Sequence, residues 1–177
     1  MRSRVVLTIL ATSLSFVQFA SAHGGEEPAG LSNIQILIIS GTTSVAYFIL
    51  FAVLKKYDKT VARARLHSLV LFTATVHILL GFDDPLLLIG GFGTLSITIF
   101  PVVTELSKRT HQIADFALAT IILSMLMGYF VYNHDLHYIS EDYLGIITKL
   151  VELSVLFIIA KQHIFTGKKR RLQGNEN

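Results

Sequence analysis

Apolar positions in this chain fall into long runs separated by short polar loops. Five runs, at about Asn33–Leu54, Leu66–Gly81, Pro85–Thr104, Ile113–Tyr132 and Tyr143–Ile164, follow a mildly apolar N-terminal segment. Each is close to the ~20 residues that a helix needs to cross a hydrocarbon core. Basic residues gather in alternate loops, at Lys55 to Arg65, Lys108-Arg109 and Lys168 to Arg171. The loops between them carry His23, Glu26-Glu27, Asp83-Asp84 and the stretch Asn133 to Asp142. This is the positive-inside pattern repeated at every turn. It predicts an all-α, polytopic membrane bundle of five transmembrane helices, with the N-terminus outside and the C-terminus inside.

Arg2 and Arg4 precede the apolar run Val5 to Phe19, which ends at Ala20-Ser21-Ala22. A basic start, an apolar middle and an A-x-A end predict a signal peptide over residues 1–22. An uncleaved first helix is the alternative, and both place residue 23 outside. Residues 23–165 then form one transmembrane domain, and residues 166–177 a basic cytosolic tail that reads as disordered. The expected setting is the plasma membrane, crossed several times, with lipid as the main partner.

Composition narrows the function. With 52% hydrophobic and 15% charged residues, a soluble domain could not cover its own surface. The mean hydropathy of +0.60 agrees. Net charge is +3, but its cations anchor loops rather than forming a nucleic-acid surface. The absence of cysteine excludes disulfides, thiolate metal sites and thiol catalysis within the chain. No phosphate-cradling glycine loop, G-x-S-x-G elbow, H-E-x-x-H helix or Rossmann fingerprint occurs, so the expected role is not enzymatic. Seven histidines and twelve acids are left as chemistry.

Four groupings of them stand out. Cleavage after Ala22 would expose His23-Gly24-Gly25, whose free amine and imidazole can chelate copper or nickel. Helix two ends in His77-Ile78-Leu79-Leu80-Gly81-Phe82-Asp83-Asp84. On a continuous helix Asp83 lies about 600° round and about 9 Å above His77, so joint ligation needs the helix to end at Gly81. The plainer reading is a buried histidine bonded to a neighbouring helix, with two acids marking the water boundary. His134-Asp135-Leu136-His137 offers two imidazoles in a turn, and an exposed polar loop explains it equally well. Within helix five, Lys149 and Glu152 share a face; they either pair with each other or line an ion or proton path near the depth of His77. At the inner side His111 and Asp115 share a face of helix four and form a second, inner candidate.

The order H-x-x-x-G-x-D at His77, Gly81 and Asp83 resembles the signature of the HupE/UreJ membrane proteins, which are associated with nickel handling. In that family an Asp-His pair closes the motif; here Asp84 stands at the second position. A histidine-led outer segment, as His23 would provide, is a further likeness. The resemblance implies nickel handling. Together with the convergence of three histidine- and acid-bearing outer segments, it leads to the expectation that His23, His77, Asp83, Asp84, His134 and His137 bind a divalent transition metal (nickel, copper or zinc) outside and pass it inward along Glu152. Imidazole with carboxylate suits these ions.

Two rival expectations remain. One is a non-catalytic accessory subunit of a larger membrane enzyme or respiratory complex, so that the expected protein partners are other membrane subunits or further copies of this chain in a homo-oligomer. A cleaved N-terminal histidine also resembles copper membrane monooxygenase B subunits, although the cupredoxin domain is lacking. The other is a haem-binding bundle, disfavoured because His67 and His77 lie about 80° off a shared face.

Overall fold

The computed structural model describes residues 31–54, 59–82, 84–104, 107–132 and 142–174. The predicted signal peptide, His23, Asp83, His134 and His137 lie outside the described residues. Five helices make up what is described: α1 Asn33–Leu54, α2 Lys59–Leu80, α3 Pro85–Val103, α4 Lys108–Tyr132 and α5 Tyr143–Gly174.

Helix starts coincide with side chains able to bond the free N–H groups of a first turn. Ser32 and Gln35 cap α1 reciprocally, Gln35 N donating to Ser32 Oγ at 3.4 Å and Ser32 N to Gln35 Oε1 at 2.9 Å. Asp84 caps α3 by accepting from Leu86 N at 2.9 Å, with Pro85 in the first turn where its missing N–H costs nothing. Ser107 accepts from Thr110 N at the start of α4, and Asp142 from Gly145 N at the start of α5.

Among the described residues, three helices are long and apolar enough to cross a membrane: Asn33–Phe51, Arg109–Val131 and Tyr143–His163. The apolar stretch Pro85–Pro101 is shorter, and α2 falls outside the set. Charge at the start of α2 (Lys59, Arg63, Arg65) lowers its hydropathy, yet from Ala64 onward nearly every side chain is at least partly buried. A helix covered by protein on most sides does not need an apolar coat. Helices α2, α4 and α5 run further into the basic segments than the hydropathy pattern predicts. Lysine and arginine propagate helices well, and their charge marks where a helix leaves apolar surroundings rather than where it unwinds.

Contacts place neighbours antiparallel in chain order. Ser44 meets Ser68 across α1 and α2, Gly91 lies against Ile78 and Ala74 of α2, and Gly90 of α3 faces Met125 of α4. Asp115 and His163 join α4 to α5 near one end, as Tyr129 and Asp142 do near the other. Helix α2 packs against α1, α3 and α5, so it is the axis of the bundle. Two apolar clusters fill the interior: Ile36, Ile39, Phe72, Val76, Leu79 and Leu144 toward one end, and Leu66, Val70, Leu118, Ile122, Val155 and Ile159 toward the other.

Hydroxyls in these apolar helices mostly bond the carbonyl one turn back, as in Thr43, Thr75, Thr94, Thr98, Thr120, Ser124, Thr148 and Ser154. Ser44 and Ser68 instead bond each other at 2.8 Å and each other's backbone, a polar staple between α1 and α2. Glycine is required where α2 turns into α3. A Cβ on Gly81 would lie 2.5 Å from Leu88 N and 2.7 Å from His77 O, whereas one on Gly41 meets nothing within 4 Å. Gly81→Ala should therefore destabilise the bundle by about 1–3 kcal/mol, and Gly41→Ala should stay within about 0.5 kcal/mol of the parent. Thermal unfolding of the detergent-solubilised protein checks both, and equal behaviour of the two variants would refute the close approach.

Candidate functional site: a buried acid–base cluster

Glu152 lies nine residues into α5, about 14 Å along the helix axis from its start. It is 0% exposed. A lone carboxylate in such surroundings would be prohibitively costly, so its oxygens need donors. They have three. His77 of α2 donates from Nε2 to Oε1 at 2.7 Å, Thr73 Oγ1 donates to the same oxygen at 3.0 Å, and Lys149 Nζ donates to Oε2 at 2.8 Å.

Helical spacing brings these groups together. Thr73 and His77 are one turn apart on α2, and Lys149 and Glu152 are three apart on α5, so each pair shares a face. Antiparallel packing of α2 on α5 joins the two faces. His77 is 3% exposed and Lys149 7% exposed, so the whole cluster is buried.

The Glu152 carboxylate and the Lys149 ammonium are opposite charges 2.8 Å apart. A carboxylate can only accept, so His77 carries a proton on Nε2. His77 Nδ1 is buried without a hydrogen-bond partner, and so is Ser40 Oγ of α1. Such orphans are rare in interiors and call for an explanation.

Lys149 reaches a second set of groups. Its Nζ lies 3.4 Å from Met125 O and 5.2 Å from the Tyr129 ring centroid, both on α4. Tyr129 Oη in turn donates to Asp142 Oδ2 at 3.0 Å, at the capped start of α5. Five side chains therefore line up from the helix end to the core: Asp142, Tyr129, Lys149, Glu152 and His77.

The other expected site residues are placed differently. Asp84 is exposed, its carboxylate engaged in capping α3. His111 and Asp115 do not act together: His111 Nδ1 accepts from Arg63 at 3.2 Å, while Asp115 lies 3.5 Å from His163 Nε2. These contacts tie α2 to α4 and α4 to α5. His67 Nδ1 is 3.1 Å from Tyr47 Oη, away from His77. Among the described residues no three metal-capable side chains converge. Glu152 has both oxygens occupied, leaving His77 Nδ1 as the open nitrogen of the cluster.

Thr73 and Tyr129 carry no signal as single residues and were absent from the sequence-derived set. Thr73 could have been found by its place one turn before His77. Tyr129 is visible only once α4 and α5 are packed. The His77-x-x-x-Gly81 part of the motif has a local cause: His77 turns into the α2–α5 interface, and Gly81 lets α3 approach. The sequence matches no protein-family model, no curated protein and no solved structure.

Glu152→Ala leaves a buried ammonium and imidazole without an acceptor and should cost about 3–5 kcal/mol. The double variant Lys149→Met, Glu152→Leu should recover most of that loss, because it removes both charges. Unfolding by detergent titration distinguishes them. A single variant as stable as the parent would contradict the assigned contacts.

Proposed function

We propose that this chain is an integral membrane protein, crossing the bilayer with all five helices, that passes protons through the His77–Glu152–Lys149 centre. The observation that carries this reading is Glu152. It is fully buried in an apolar helix and shared between an imidazole, a hydroxyl and an ammonium. Ionisable side chains within membrane helices are costly, and functional use is the default explanation for retaining them. A hydroxyl staple like Ser44–Ser68 would hold two helices together without a buried charge. The cluster instead contains three groups able to change protonation within hydrogen-bond distance, which general acid–base transfer needs.

In this reading His77 belongs to the buried cluster and not to an outer metal set. Divalent-metal handling would then fall to His23, Asp83, His134 and His137 in the loops. It competes with the proton reading in the same experiment.

Protein reconstituted in liposomes with an entrapped pH-sensitive dye, and driven by a potassium diffusion potential, should take up protons. Glu152→Gln should slow that uptake on the order of a hundredfold, the scale of one lost acid–base group. Uptake unchanged by Glu152→Gln would overturn the proposal. Absent flux together with stoichiometric nickel, copper or zinc in the purified protein would favour metal handling. Absent flux without metal would leave the cluster as a brace within a larger membrane assembly.

A further inference from the structure

We propose that Lys149 is a tethered cation that exchanges between two carboxylates, Glu152 in the core and Asp142 at the end of the bundle, across the face of Tyr129. The exchange controls when the core acid can receive a proton from that end. It rests on the proton reading and adds the side of access and the moving part.

The geometry is that of a short rail. Asp142 and Lys149 are seven residues apart, about 20° from a common face and about 10 Å along the axis. Side chains on a helix tilt toward its N-terminus, so the lysine stem leaves the backbone in the direction of Asp142. Nζ now sits on Glu152 Oε2 at 2.8 Å, with the Tyr129 ring beside it at 5.2 Å. That ring attracts the cation along the way. Its hydroxyl is 3.0 Å from Asp142 Oδ2, so the ring ends at the second carboxylate. Asp142 Oδ1 is held by Gly145 N at 2.8 Å, which fixes the acceptor in place.

Charge dictates the order of events. With Lys149 on Glu152 the carboxylate is matched by an ammonium 2.8 Å away. If the lysine left alone, Glu152 would be a buried bare anion. One proton must therefore arrive at Glu152 from water at the Asp142 end as the ammonium departs. Lys149 keeps its three protons throughout, and Asp142 becomes its counter-ion. Among the described residues, α2 contributes His77, already on Glu152 Oε1; α4 contributes Tyr129; α3 contains no titratable residue; and the single one in α1, Tyr47, is 3.1 Å from His67.

Solid-state NMR on lipid-embedded protein with labelled Lys, Asp and Glu tests this without any flux assay. In the parent at neutral pH, Lys149 Nζ should contact the Glu152 carboxyl. In Glu152→Gln, which mimics the protonated core acid, the contact should move to the Asp142 carboxyl. The parent at acidic pH should show the same move, which covers the case in which the variant does not fold. A lysine that stays at position 152 under both conditions overturns the exchange. In liposomes, Asp142→Asn should slow proton uptake by about tenfold or more, equivalent to about 1.4 kcal/mol on the barrier. Uptake stopped by Glu152→Gln yet within twofold of the parent in Asp142→Asn refutes the exchange and leaves the buried relay standing.

Discussion

One buried carboxylate sets the terms for this fold. Moving Glu152 out of water costs far more than any single apolar contact returns, unless its charge is matched and its lone pairs are filled. Each donor that does so comes with a geometric demand. Lys149 must sit one turn earlier on α5, and His77 and Thr73 must occupy one face of α2. The two helices must then run antiparallel at one register, with His77 and Glu152 within 2.7 Å. A shift by one turn, about 5.4 Å, would strand every member of the cluster.

The rest of the bundle is arranged around that constraint. Helix α2 is the central element and is shielded by α1, α3 and α5. Its approach to α3 depends on two glycines, since a Cβ on Gly91 would lie 2.8 Å from the Ile78 side chain and one on Gly81 would meet backbone. On α2 the residues of one apolar cluster, Phe72, Val76 and Leu79, alternate with Thr73 and His77, and the second cluster lies toward the other end. Helix α4 supplies a carbonyl and an aromatic face where Lys149 needs them. Polar contacts at the opposite end, Arg63 with His111 and Asp115 with His163, join the same three helices where they approach water.

Much of this was legible in the residues. Long apolar runs and the polar loops between them marked five helices, and α1 has the predicted bounds. Where α2, α4 and α5 continue into basic segments, hydropathy misled, because it registers lipid compatibility and not helix propensity. Lys149 and Glu152 were conspicuous as charges in an apolar run. Their link to His77 was not derivable from spacing, since it depends on how two helices separated by more than sixty residues pack. Asp84 showed the opposite difficulty. Its sequence neighbourhood resembles a ligand motif, while its carboxylate satisfies the first turn of α3. Capping and ligation draw on the same residue type, and only position in the fold separates them.

The central claim is that Glu152 exchanges a proton while remaining enclosed in the bundle. Infrared difference spectroscopy of lipid-embedded protein after a pH step reads this directly. A buried carboxyl band should appear on acidification, shift in heavy water and vanish in Glu152→Gln. A spectrum with no carboxyl change at that position across the pH range would make the glutamate a permanent counter-ion and contradict the relay.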